Sequence, residues 1–175
     1  KSNELLVRLL FTLRPKPITY KHVTYMLKLQ FYDTALWLYH RATEEVQNEI
    51  SKCPNVFNYL CTFGLDEMAE IILSKKKLHI DYVMDGFNYA CTNNHLTIAQ
   101  LIFNQFAAEI GRRNLLHTLF PLMCTNERCD IAQWILCIDL SVLIYCNTEE
   151  LYRKLLKTNP VMADWVERHV PGAAY

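Results

Sequence analysis

The sequence predicts an all-α protein, an α-solenoid of stacked helix-turn-helix units with capping helices at both ends. One short pattern recurs four times, and an internal period of thirty-odd residues is typical of stacked arrays. Its alanines are 34, 30 and 33 residues apart, at Ala35, Ala69, Ala99 and Ala132. A second column lies six residues before the last three copies, as Cys61-Thr62, Cys91-Thr92 and Cys124-Thr125. Only four glycines and six prolines occur, which argues against a sandwich rich in tight turns.

The first predicted element is a helix from Glu4 to Arg14 with leucines along one face, stopped by Pro15 and Pro17. We expect it to form an N-terminal cap over residues 1–17, or the end of an earlier repeat unit. Residues 18–140 then supply about four helix pairs, each joined by a short link. The pairs are Ile18–Leu29 with Asp33–Ala42, Asn55–Thr62 with Asp66–Ser74, Tyr82–Thr92 with Leu96–Phe106, and Leu115–Cys124 with Asp130–Cys137.

The end of the chain loses the repeat register but keeps amphipathic spacing over Thr148–Leu156 and Val161–His169. Residues 141–175 are therefore predicted to form C-terminal capping helices, which close the open end of an array. Residues 1–175 together are predicted to form a single repeat domain.

Composition limits the classes of partner. Apolar residues make up 51 % of the chain, which is enough for a buried core, and 18 basic residues balance 18 acidic ones. A neutral chain has no overall field to attract nucleic acid or an anionic membrane, and no stretch is long and apolar enough to span a bilayer. We expect a partner protein, with no nucleic acid, no membrane and no small-molecule cofactor.

The seven cysteines are odd in number and lack the close pairs of a disulfide framework or a zinc site. We interpret them as buried reduced thiols, which places the protein in a reducing compartment, the cytoplasm. Cys124 and Cys129 with His117 contain the atoms of a metal site or a thiol nucleophile, but no orienting partner has a suggestive spacing. The sequence therefore predicts no enzyme, no catalytic residue, no metal and no cofactor.

The third copy, from Asp85 to Phe103, resembles the ankyrin repeat. Ala90-Cys91 match the small pair of that family, His95 matches its histidine, and residues 98–103 match its aliphatic run. No copy keeps the family's Thr-Pro-Leu-His tetrapeptide. The glycine before the histidine remains only as Gly64, and its place is taken elsewhere by Gln30, Asn94 and Glu127. Glutamine and glutamate adopt left-handed backbone less readily than glycine, so the sequence leaves the geometry of those turns open.

The resemblance covers roughly residues 18–140 and implies an ankyrin-like array that binds a partner protein through its concave face. Such eroded repeats resemble those in host-directed proteins of large DNA viruses and intracellular bacteria, which implies a host-directed role in the host cytoplasm. Carried onto this sequence, the variable positions of the family select a partner-binding set. Its members are Tyr20, Leu29, Lys52, Phe63, Tyr82, Met84, Asn93, His117 and Asn126.

A second function stays open at this point. The chain begins at Lys1 without a methionine, which fits a piece of a longer protein. In that case the repeats would recruit substrates as an accessory domain of a larger effector enzyme.

Overall fold

The computed structural model describes residues 2–14 and 16–170, and α-helix is the main regular structure in those ranges, with no strand. The all-α prediction is therefore confirmed. Lys1, Pro15 and residues 171–175 lie outside the described residues, so the predicted stop at Pro15 and the outermost ends of both caps lie there too. In the part of the chain that the structure describes, no helix is both long and apolar enough to cross a membrane.

The chain forms two compact units, residues 1–86 and residues 87–175. The helices of the first unit are α1 (Ser2–Leu13), α2 (Tyr20–Lys28), α3 (Tyr32–Arg41), α4 (Glu44–Ser51), α5 (Pro54–Phe63) and α6 (Asp66–Ser74). The boundary falls inside α7 (Ile80–Thr92). The helices of the second unit are α8 (Leu96–Arg112), α9 (Leu115–Thr125), α10 (Cys129–Ile138), α11 (Val142–Tyr145), α12 (Thr148–Thr158) and α13 (Pro160–His169).

The predicted helices are all present, and α6 has the predicted bounds. Three helical segments were not predicted: α4, α11, and the part of α8 beyond Phe106, where φ −131° and ψ 23° break the helix. The start of α4 follows from its sequence, because Thr43 Oγ1 accepts the Val46 backbone N–H and two acidic residues favour the first turn. The segments that connect successive helix pairs are thus partly helical.

Side-chain caps fix the C-terminal helices as well. Asn147 Oδ1 accepts the Glu150 backbone N–H at 3.1 Å at the start of α12. Asn159 Oδ1 accepts the Met162 backbone N–H at 3.1 Å at the start of α13, whose first residue is Pro160. Each cap satisfies a backbone donor that the first turn of a helix leaves free, so the break between the two helices is set locally.

The turn between the two helices of a pair has the same backbone in all four copies. One residue of each turn is left-handed: Gln30 (φ 60°), Gly64 (φ 69°), Asn94 (φ 64°) and Glu127 (φ 60°). The two turns whose geometry the sequence left open therefore match the glycine turn. These four residues are called the left-handed column below.

Hydrogen bonds repeat with the same register around each left-handed residue. The following residue donates its N–H to the carbonyl five positions earlier, as Phe31 to Met26 (2.9 Å), Leu65 to Leu60 (3.0 Å), His95 to Ala90 (2.8 Å) and Arg128 to Met123 (2.9 Å). This is the long-range bond of a Schellman motif. The carbonyl of that same residue then accepts the N–H of the repeat alanine, at Ala35 (2.9 Å), Ala69 (3.0 Å), Ala99 (3.1 Å) and Ala132 (2.9 Å).

Burial follows the same period inside each unit. The four repeat alanines are fully buried, and so are the residues three positions after them, Leu38, Ile72, Ile102 and Ile135. In the first unit Gly86 lets α7 approach α5 closely, because a Cβ there would lie 2.4 Å from Cε1 of the fully buried Phe57. The repeating small and aliphatic residues are thus core positions.

Candidate functional site

The residue before each left-handed residue is exposed in every copy. Leu29 and Phe63 each expose 42 % of their surface, and Asn93 and Asn126 are exposed as well. We call these four residues the turn column. Each stands at the last residue or the C-cap of a first helix, or one residue beyond that helix, where the chain leaves the helix. The sequence prediction of surface positions here agrees with the structure.

An aromatic cluster supports Phe63 in the first unit. Its ring centroid lies 4.3 Å from that of Tyr59 and 6.3 Å from that of Tyr32. Tyr59 in turn donates its phenolic proton to the Leu27 carbonyl at 2.6 Å. Burial, followed by the hydrogen bond with Tyr32, raises the pKa of Tyr59 to about 12. Phe63 is therefore exposed on one side and held on the other.

Tyr32 and Tyr59 were missed by the sequence reasoning as parts of this surface. The sequence feature that could have pointed to Tyr59 is the match of Phe57-Asn58-Tyr59 with Phe87-Asn88-Tyr89 at an offset of 30 residues. That match indicates a shared repeat position, but the two tyrosines differ in burial: Tyr59 is half-buried, whereas Tyr89 is 44 % exposed. Repeat register alone does not distinguish them.

Asn93, one of the two asparagines of the turn column, also bonds within its own turn. Its Nδ2 donates to the Tyr89 carbonyl at 2.9 Å, and the same carbonyl accepts the Asn93 backbone N–H at 3.1 Å, so the side chain adds a bond at the C-terminal end of α7. The rest of the side chain is exposed. An asparagine here therefore stabilises the end of the helix and still presents an amide to solvent.

Lys52 and Tyr82 share one repeat position, and both are exposed. The ring of Tyr82 meets His79 edge-on, with centroids 6.2 Å apart. His79 Nδ1 lies 3.2 Å from a carboxylate oxygen of Asp81. Both Lys52 and Tyr82 are accessible, as the partner-binding prediction requires.

Tyr20, Met84 and His117 share another repeat position, and the structure corrects the prediction for Met84. Met84 is 2 % exposed, so its side chain belongs to the core and cannot serve as a surface anchor. Tyr20 is half-buried with its hydroxyl 3.7 Å from Cys53 Sγ, a contact that raises the pKa of Tyr20. The repeat offset locates these residues along the helix but does not determine their exposure.

His117 is held by a polar cluster in the second unit. Its Nε2 lies 3.3 Å from Ser141 Oγ and 3.4 Å from Asp139 Oδ2, and its ring stacks on Tyr145 with centroids 4.5 Å apart. Hydrogen bonds from Ser141, followed by His117, lower the pKa of Asp139. The serine and the carboxylate meet the same ring nitrogen, so they do not form a nucleophile–base–carboxylate relay. The cluster ties the segment before α12 to α9.

The seven free cysteines differ in burial. Cys61, Cys91 and Cys124 are fully buried, as expected for small packing residues, but Cys137 is exposed and corrects the expectation that all seven are buried. Burial raises the pKa of Cys91 and of Cys124 to about 12, so both stay neutral thiols. Cys129 Sγ contacts Met162 Sδ at 3.4 Å.

Within the described ranges, no group of three or more histidine, cysteine or acidic side chains is arranged to hold a metal ion. A cavity of about 130 Å³ opens between α2 and α5 of the first unit, with Tyr20, Lys28 and Tyr59 in its lining. Tyr59 connects it to the aromatic cluster, and Tyr20 is the member of the predicted binding set in its lining.

Comparison of the chain with protein-family models, with curated proteins and with solved structures gives no match in any of the three.

Proposed function

We propose that the helix pairs of this chain stack as an ankyrin-like solenoid and that the chain is an interaction module for a partner protein. The observation that carries the proposal is the turn column. Four turns with the same backbone and the same hydrogen bonds each hold one exposed side chain at the same place. A repeated frame that varies only its exposed residues is the usual design of a repeat-protein binding surface.

The first unit supplies the apolar anchors of this surface. Leu29 and Phe63 are both exposed, and Phe63 rests on Tyr59 and Tyr32. Because the ring is already held on one face, binding costs less side-chain entropy than it would for a free aromatic residue. Large aromatic residues contribute most of the energy in many interfaces. Phe63 is therefore the central anchor of the proposal.

The charged and polar residues of the proposed surface indicate which chemical groups a partner would need. Lys28 is exposed directly before Leu29 and supplies positive charge beside that anchor, whereas the exposed Lys52 lies before the start of α5, at the end opposite Phe63. Asn93 and Asn126 in the second unit present amides and carry no charge. We infer a partner that inserts an apolar group near Phe63 and accepts hydrogen bonds from the amides of Asn93 and Asn126. The host-directed role and the cytoplasmic location stay predictions.

Affinity capture followed by titration tests the proposal. A protein retained by the intact chain is purified and titrated against wild type, Phe63→Ala and Leu29→Ala. We expect each substitution to weaken binding by about tenfold or more, as interface anchors do, with the thermal unfolding midpoint nearly unchanged. Leu156→Ala is the matched control, because Leu156 is 49 % exposed on α12 and lies outside the turn column.

Equal affinity of Phe63→Ala, Leu29→Ala and wild type for every retained protein would contradict the proposed surface. Unfolding of Phe63→Ala would instead assign Phe63 to the core. In that event Leu29→Ala and Asn93→Ala keep the test open, because neither residue is part of the aromatic cluster.

A further inference from the structure

The first helix presents an apolar face to solvent. Leu5, Leu6, Leu9, Leu10 and Leu13 each expose between 51 % and 69 % of their surface. A capping helix is expected to bury its apolar face, and α1 does the reverse. Soluble proteins rarely leave a contiguous apolar face of this kind uncovered unless it meets another surface.

The opposite face of α1 is the one that packs on the first unit. Arg8 Nε donates to Thr34 Oγ1 at 3.2 Å, and the Arg8 guanidinium lies 6.0 Å from the Trp37 ring centroid. Phe11 meets His22 edge-on with centroids 5.2 Å apart. With 3.6 residues per turn, these contacts of residues 8 and 11 direct the leucines away from the unit.

The charges on α1 narrow the choice of partner. Between Leu5 and Leu13 the only charged residue is Arg8, and it is engaged on the inner face. A helix that lies on an anionic membrane needs basic side chains beside its apolar face. An acidic or basic protein partner would need an opposite charge on the same face. The exposed Arg14 and Lys16 line a depression with Leu10 at the C-terminal end of α1 only, whereas the outward face from Leu5 to Leu9 carries no charge. Most of the face therefore fits a second uncharged, leucine-rich helix face.

The leucines form a surface that is complementary to itself. Leu5, Leu9 and Leu13 are spaced by four residues and make one ridge, and Leu6 and Leu10 make a parallel ridge beside it. The groove between the two ridges accepts a ridge of the same spacing. A two-fold axis near Leu9 brings Leu5 of one copy against Leu13 of the other, which is the self-complementary contact of a symmetric dimer.

We propose that α1 is a self-association surface on which a second copy of this chain docks its own α1. This surface is distinct from the turn column and does not depend on the partner-binding proposal. Two such faces together bury on the order of 1,000 Å², the lower limit for a specific interface. We therefore expect a weak dimer, with a dissociation constant on the order of 10 μM.

Sedimentation velocity over about 1 μM to about 500 μM, a range that brackets this constant, tests the proposal. The weight-average mass of the wild type is expected to rise from one copy toward two. Leu9→Glu places a charge at the two-fold axis and is expected to stay monomeric throughout. Leu156→Glu is the matched control, because Leu156 is exposed to a similar degree on α12, and it is expected to dimerise like wild type.

A cross-link tests the geometry separately. In a Cys137→Ser background, which removes the exposed native thiol, Leu9→Cys is expected to form a covalent dimer under mild oxidation, whereas Leu156→Cys is not. A wild type that stays monomeric at the highest concentration overturns the proposal, and so does a Leu9→Glu variant that still dimerises. A monomeric wild type that floats with phosphatidylcholine vesicles, while folded Leu9→Glu does not, overturns it in favour of a lipid surface.

Discussion

Tyr59 of α5 donates its phenolic proton to the backbone carbonyl of Leu27 in α2, at 2.6 Å. This bond joins the first helices of two successive repeat copies inside the first unit. The same ring supports Phe63, so one side chain both links two copies and positions the proposed anchor.

Removal of the Tyr59 hydroxyl is expected to destabilise the protein modestly. Tyr59→Phe keeps the ring and loses the hydrogen bonds of the hydroxyl to Leu27 and to Tyr32, while the Leu27 carbonyl still accepts the Gln30 N–H at 2.9 Å. The expected loss in the free energy of unfolding is about 1 kcal/mol, measured by urea denaturation. Tyr89→Phe is the control at the same repeat position, where the ring is 44 % exposed and little change is expected. Equal costs for the two variants would contradict a specific role for these bonds.

Ionisation of Tyr59 is expected to lower the free energy of unfolding at alkaline pH. Its pKa is raised to about 12 in the folded protein and is about 10 in the unfolded chain. Above about pH 10 the unfolded chain loses this proton while the folded protein keeps it, so stability falls as the pH rises. The contribution is complete below about pH 10 and is lost through about pH 12.

The difference in unfolding free energy between wild type and Tyr59→Phe isolates this contribution, because the other titrating groups are common to both. We expect that difference to shrink over the interval from about pH 10 to about pH 12. Tyrosine Cζ chemical shifts give the midpoint of Tyr59 directly. A midpoint near 10 in the folded protein would contradict the burial of this hydroxyl.

In the left-handed column, introducing glycine and removing glycine are expected to change the free energy of unfolding in opposite directions. Gln30→Gly and Glu127→Gly remove the strain of a side chain at positive φ, and each is expected to stabilise the protein by about 0.5–1 kcal/mol after the entropy of the unfolded chain is counted. Gly64→Ala is the reverse exchange and is expected to cost about 0.5–1 kcal/mol by the same balance. Asn94→Gly should change little, because asparagine tolerates this backbone. Denaturation curves of the four variants measure the order, and a destabilising glycine at position 30 or 127 would contradict it.

The two glycines of α7 and α8 form a second matched pair. Gly86→Ala drives a methyl group into the ring of Phe57, which is fully buried and close-packed, so we expect a loss of about 1–3 kcal/mol. A Cβ at position 111 would have no neighbouring atom within 4 Å. Gly111→Ala should therefore be neutral or stabilise the helix by up to about 1 kcal/mol. Thermal unfolding compares them, and equal midpoints would show that α7 does not approach α5 as closely as described.

Local periodicity predicted the helices well, because amphipathic spacing and short links are properties of the sequence alone. It failed where a second helix could replace a connecting segment, as at α4, although Thr43 and the two following glutamates formed a recognisable start. It also could not tell which face of α1 packs. The leucines share one face by spacing, yet the contacts of Arg8 and Phe11 decide that this face points outward.

The candidate site was predictable only in part for a related physical reason. Positions before the left-handed residue are exposed in all four copies because the chain leaves the helix there. Positions at the start of the first helix depend on neighbouring elements, so Met84 is buried and His117 is held by Ser141 and Tyr145. Repeat register therefore predicts side-chain exposure at the turn positions but not at the start of the first helix.

The equivalence of the four helix pairs is tested most directly by the backbone φ angles of Gln30 and Glu127, measured in solution from scalar couplings and chemical shifts. These are the two residues whose types least favour the left-handed turn. Both angles are expected to be positive and close to the 69° of Gly64. A negative φ at either residue would contradict the repeated turn on which the proposed binding surface depends.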